Sequence, residues 1–143
     1  MKIKRYLTQS PIFALYRAQN LIILRFQKKL KKHQVHLIQG LILTAMFFED
    51  RDVRPFELLN VLRVEKSNLS HALRGLEKKK LIKRFMHPKD ARGYLFQLTA
   101  TGKNTALDLI KDFDLIQNNF EEKFGQKKSS EIIQGIHELI EIV

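Results

Sequence analysis

The stretch from Val64 to Arg84, VEKSNLSHALRGLEKKKLIKR, carries two chemically opposite faces. Leu69, Leu73 and Leu76 fall three and four apart, the spacing that packs one side of a helix onto a core. The other side carries Lys66, Ser67, Asn68, Ser70, His71 and Arg74. These side chains can bond phosphate oxygens or base edges, and none is acidic. An unbroken Lys78-Lys79-Lys80 run follows, then Lys83 and Arg84 beyond an apolar pair. A helix apolar behind and short-polar or basic in front is what the major groove of DNA accepts. The stretch is expected to be a recognition helix.

Charge supports a polyanionic partner. Residues 54–103 hold 12 Lys/Arg against 4 Asp/Glu, whereas residues 104–143 hold 4 against 8. Residues 1–53 are basic again, 10 against 3, with Arg25, Lys28, Lys29, Lys31 and Lys32 clustered. Basic charge concentrated on one segment is the electrostatic footprint of nucleic acid. A solvated basic face without a partner is the plainer alternative. At 143 residues the chain has the length of one domain with a real core. The absence of cysteine excludes disulfides, thiolate metal sites and thiol redox sensing. The basic, partly apolar start, MKIKRYLTQSPIFALYRAQNLIILRF, is interrupted by Arg17, Gln19 and Asn20, and no small-residue cleavage site follows. No apolar run reaches membrane-spanning length. A cytoplasmic, nucleoid-associated protein is expected, with no membrane partner.

Ser10-Pro11 opens a helix, and dense apolar residues from Ile12 to Leu30 ask for cover on more than one side. A second helix fits His36 to Phe48 and ends at the polar turn 49–52. Pro55 begins a short helix with Phe56, Leu58, Leu59 and Leu62 as core candidates. After the recognition helix, Ile82 to Phe85 is expected to be extended, His87 to Gly93 a loop, and Tyr94 to Leu98 the returning strand. Thr99 is expected to cap a long helix running to Phe124, and Ser130 a final one. The fold class expected is mainly α (α+β), a winged helix-turn-helix of about six helices with a β-hairpin wing. Residues 36–103 would form the DNA-binding lobe within one domain, 1–143. Residues 1–35 and 104–143 would form the dimerisation region. A two-fold dimer in turn implies two inverted half-sites about one helical turn apart.

At the wing the sequence becomes family-specific. Asp90-x-Arg92 followed by Leu95-x-x-Leu98-Thr99-x-x-Gly102 resembles the D-x-R…L-x-x-L-T-x-x-G signature of the MarR family of transcriptional regulators. SNLSHALRGLEKKKLIKR resembles that family's recognition helix and first wing strand in register, so the resemblance covers roughly residues 54–103. It implies a homodimer with interlocked terminal helices and two winged lobes on consecutive major grooves, acting as repressor or activator. It also implies that Arg92 enters the minor groove and that Asp90 steadies the wing. Lys66, Ser67, Asn68, Ser70, His71 and Arg74 take the recognition-helix positions. Asn68 and Arg74 suit base edges, because amide and guanidinium groups make paired bonds to purines. A phosphate contact is the other reading for Arg74. Lys83, Arg84 and Lys89, with Lys66, are expected on phosphates.

Three departures stand out. Arg63 replaces the family's usual turn glycine, so that turn is expected to be altered or strained. Glu65 replaces the usual Ser/Thr cap, and Lys80 replaces a common terminal glycine.

Other chemistry finds little footing. His33 and His36 invite a metal, but no cysteine or nearby carboxylate assists them, so no metal is expected. Nothing in the chain combines a nucleophile with a base or groups glycines around a phosphate, so neither catalysis nor a cofactor is expected. The resemblance allows a small anionic aromatic effector, which Phe13, Tyr16, Phe47 and Phe48 could line; simple core packing competes with that reading. The rival function is a sequence-neutral architectural or replication-associated DNA-binding protein. A protein-interaction module that has lost DNA binding is a third.

Overall fold

Proline and glycine punctuate the chain into its helices. A computed structural model of the protein describes residues 2–143, except for the side chains of Ala91 and Arg92. Helix α1 (Lys2–Gln9) stops at Ser10, whose extended backbone (φ −89°, ψ 122°) precedes Pro11. Pro11 then opens α2 (Pro11–Lys32), where its missing amide hydrogen costs nothing. Next come α3 (Leu37–Glu49), α4 (Pro55–Leu62) and α5 (Lys66–Lys78). Strands β1 (Ile82–His87) and β2 (Asp90–Leu98) form an antiparallel hairpin, and α6 (Ala100–Phe124) and α7 (Gln126–Ile142) complete the order. Seven helices and a wing replace the six helices expected, and α1 is the addition.

Two compact units divide the chain, 1–109 and 110–143. In the first, Leu30, Ile42, Leu43, Met46, Leu69, Leu76 and Leu109 are essentially fully buried. The hairpin begins at Ile82↔Leu98 and shifts register between Met86 and His87, so Asp90 faces His87 across a turn at Pro88 and Lys89. The expected loop from His87 to Gly93 is therefore a tight turn, and β2 starts four residues before Tyr94. A bulge at Met86/His87 absorbs the odd residue.

Val53, ahead of α4, adds an isolated bridge to the sheet. Its N–H donates to Phe96 O at 3.0 Å, and Phe96 N–H donates back to Val53 O at 2.9 Å. At the start of α4, Arg54 N–H donates to Glu57 Oε2 and Arg51 Nη2 donates to Glu57 Oε1, both at 2.7 Å. These bonds hold the Glu57 carboxyl below its usual range, the Arg51 hydrogen bond contributing most. A depressed folded value means the contribution is present above the unfolded value and lost as pH falls through the folded one. Glu57→Gln is expected to lower the urea midpoint at pH 7, with the difference from wild type shrinking as acid protonates Glu57.

The second unit holds the remainder of α6 and α7. Leu115, Phe120, Phe124, Ile133, Ile140 and Ile142 are exposed there, and Phe120 and Phe124 stack at 4.5 Å. Such an apolar pair of helices fits a dimerisation region. Helix α7 begins at Gln126 after Gly125 (φ 80°), not at Ser130, whose hydroxyl donates to Gln126 O within the helix at 3.0 Å.

Candidate nucleic-acid interface

Helix α5 separates its two faces as its spacing predicts. Leu69, Ala72, Leu73 and Leu76 are buried, while Lys66, Ser67, Asn68, Ser70, His71 and Arg74 are all exposed. The buried side packs on α3, α4 and β1. Glu65 is the residue before the first turn (φ −60°, ψ 139°), and its side chain makes no capping bond. The first-turn amides consequently have no side-chain acceptor from that position. Both expected sites of strain are real: Arg63 (φ 50°) and Lys80 (φ 59°) occupy the left-handed region at either end of the helix.

Gln39 fixes α5 against α3, a role the sequence does not announce. It is 4% exposed, and its Oε1 accepts from His36 N–H and from Lys79 Nζ, both at 3.1 Å. Its Nε2 approaches Ala72 O at 3.5 Å. A Cβ on Gly75 would stand 2.4 Å from that nitrogen, so glycine makes room for the amide. Lys79 also donates to Gln34 O, tying the end of α5 to the α2–α3 turn. The one sequence signal was glutamine three residues after His36, a helix-start pattern. His33 and His36 end α2 and open α3, respectively. Among the described residues no cluster of three metal-ligating side chains occurs, and no helix is long and apolar enough to cross a membrane.

The hairpin extends the basic surface. Lys83, Arg84 and Lys89 are exposed, but Arg84 already has neighbours. Its Nε lies 3.4 Å from Glu77 Oε1, and its guanidinium sits 4.8 Å over the Tyr94 ring. Half-exposed pairs of this kind are weak in water, so a phosphate can compete with Glu77. Arg54 Nη2 donates to His87 Nε2 at 2.6 Å, joining the start of α4 to the wing tip. Asp90 is exposed at the turn, its Oδ2 2.9 Å from where a Cβ on Gly93 would stand. The Arg92 side chain, expected in the minor groove, lies outside the described residues.

The four aromatics proposed for an effector form two pairs. Phe13 meets Tyr6 at 5.8 Å, and Phe47 meets Phe48 edge-on at 6.0 Å. Tyr16 and Phe48 are 61% and 70% exposed, so neither is ordinary core within one chain.

A helix-turn-helix with a basic outer face and an adjoining hairpin agrees with family-level similarity: residues 36–102 match the family described as winged helix DNA-binding domain. That segment is a winged-helix DNA-binding domain. Beyond it, the likeness to solved structures is one of fold. The Staphylococcus aureus MepR–DNA complex superposes with a TM-score of 0.86 at 18% identity, covering 94% of this chain and 98% of that one. The transcriptional regulator BldR from Sulfolobus solfataricus gives 0.80 at 20%, covering 100% and 99%. Bordetella bronchiseptica BpsR, whose DNA binding is described as regulated by 6-hydroxynicotinic acid, gives 0.77 at 14%, covering 88% and 95%. The winged-helix domain and its flanking helices thus share the MarR-type fold that the wing signature implied. No curated protein sequence matches the chain.

Proposed function

We propose that this protein is a MarR-type transcriptional regulator, a homodimer that binds a pseudo-palindromic duplex through α5 and the wing. The observation that carries the reading is the α5 outer face: six exposed polar or basic side chains, no carboxylate among them, on a helix buried behind. In this reading Asn68, His71 and Arg74 meet base edges in the major groove, and Arg92 enters the minor groove, steadied by Asp90. Lys66, Ser67, Ser70, Lys83, Arg84 and Lys89 hold the backbone. The protein acts by binding, without catalysis, in the cytoplasm beside the nucleoid.

Dimerisation accounts for apolar side chains that one chain leaves in water, including Ile12, Leu21 and Leu24 on α2 and Phe120 and Ile133 in the second unit. Light scattering is expected to give twice the 16.9 kDa chain mass, and a monomer would remove the two-half-site geometry. For effector control, the BpsR description supports a small anionic aromatic compound, and Phe13, Tyr16, Phe47 and Phe48 are the aromatics offered. A calorimetric screen of phenolic acids that found no binding would count against it.

The deciding experiment is fluorescence anisotropy against the gene's own upstream duplex and a shuffled duplex across a salt series. A preference of about a thousandfold or more that survives rising salt is expected. Equal affinity for both with a steep salt slope would instead identify a sequence-neutral architectural binder.

A further inference from the structure

We propose that Arg63 is an additional DNA contact, a phosphate-binding guanidinium carried in the turn between α4 and α5. This rests on the DNA-binding reading above. Four non-glycine residues hold positive φ among the described residues: Gln34, Asp50, Arg63 and Lys80. Three serve contacts within the chain. Gln34 O accepts from Lys79, Asp50 lies 3.8 Å from Lys103, and Lys80 O accepts from Thr99 Oγ1 at 2.8 Å.

Arg63 differs from these. Its amide closes α4 by donating to Leu59 O at 2.9 Å, a bond that glycine would make equally well and without a Cβ in the left-handed region. Its side chain is exposed and has no hydrogen-bond or ion-pair partner among the described residues. The other arginines beside it are engaged, Arg51 with Glu49 and Glu57, Arg54 with His87. A strained backbone that supports an unpartnered cation is more intelligible when the cation has an external partner.

Position names that partner. In a helix-turn-helix the recognition helix aims its amino-terminal residues at bases while the preceding helix crosses the sugar–phosphate backbone. The turn between them therefore lies beside a DNA strand. Here Arg63 and Lys66 flank Glu65, a carboxylate that caps nothing and would repel phosphate. A guanidinium two residues away offsets that charge and can hold a phosphate through two parallel bonds. Lys80, under the same strain at the far end of α5, has no such position and serves as the control.

The test compares Arg63→Gly, Arg63→Lys, Lys80→Gly and Lys66→Ala by urea unfolding and by anisotropy on a mixed-sequence duplex over a salt series. Both glycine variants are expected to raise the urea midpoint. Only Arg63→Gly of the two should weaken binding, by about fivefold, with the log–log salt slope flatter by about one. Arg63→Lys should keep the slope. Unchanged affinity and slope in Arg63→Gly, with Lys66→Ala weakened, would overturn the proposal and leave the DNA-binding reading standing. Equal losses in the two glycine variants would also overturn it, by assigning the effect to backbone geometry. If the wild type binds no duplex at low salt, the reading itself fails and takes Arg63 with it.

Discussion

Gly102→Ala is expected to destabilise the winged-helix domain by about 3 kcal/mol or more, among the largest effects available to one methyl group. The added Cβ would stand 1.9 Å from Leu81 O and 2.9 Å from Leu81 C. Both atoms are backbone, so no rotamer change relieves the overlap. Leu81 cannot retreat easily either, because its carbonyl accepts from Thr99 N–H at 3.0 Å and faces Thr99 Oγ1 at 3.1 Å. The same hydroxyl accepts from Gly102 N–H at 3.0 Å, which caps α6. The Leu98-Thr99-x-x-Gly102 signature is thus one device: threonine starts the helix, and glycine lets that start close against the junction of α5 and β1. Urea unfolding should rank Gly102→Ala worst, Thr99→Val next at about 1 kcal/mol, and Thr99→Ser near wild type. A Gly102→Ala midpoint within error of wild type would mean that the first turn of α6 sits farther from Leu81.

That device also explains what the sequence made legible. Local patterns carried their own information: Ser10-Pro11 marked the start of α2, and the Leu69/Leu73/Leu76 stripe gave α5 its buried face. Arg63 and Lys80 could be marked as strained because they stand where a left-handed turn favours glycine, and both hold positive φ. Features made by distant residues were not readable. Val53 bridging Phe96 requires two segments over forty residues apart in sequence to meet, and nothing in either one specifies the other. Gln39 reads as a helix-start residue; its approach to Ala72 and Lys79 exists only after α3 and α5 pack. Short elements also escaped. At eight residues α1 is too brief to declare a periodicity, and its basic, apolar mixture suggested a leader rather than a helix. The wing turn was misjudged because Gly93 and Pro88 both promise a turn, and the bulge after Met86 decides in favour of Pro88.

The double variant Asn68→Ala, Arg74→Ala is expected to lower affinity for the specific site by about a hundredfold or more, while non-specific binding changes only by the loss of one cation. The two residues lie six apart on α5, both exposed, with buried Leu69 and Leu73 behind them. Truncating them therefore leaves the core untouched, and the urea midpoint should hold within about 0.5 kcal/mol. Each side chain can make two parallel bonds to a purine edge, worth about 1–3 kcal/mol of discrimination apiece. Separation along the helix should make their losses roughly additive. The alternative for Arg74 is a phosphate contact, and the single variants distinguish the two. If Arg74 reads a base, Arg74→Ala relaxes preference at one position in each half-site. If it binds phosphate, affinity falls uniformly across sequences and the salt slope drops by about one. Should Asn68→Ala also leave sequence preference intact, base reading would have to pass to His71 and the wing. The remaining basic face of α5 would then serve chiefly to hold the helix against the backbone.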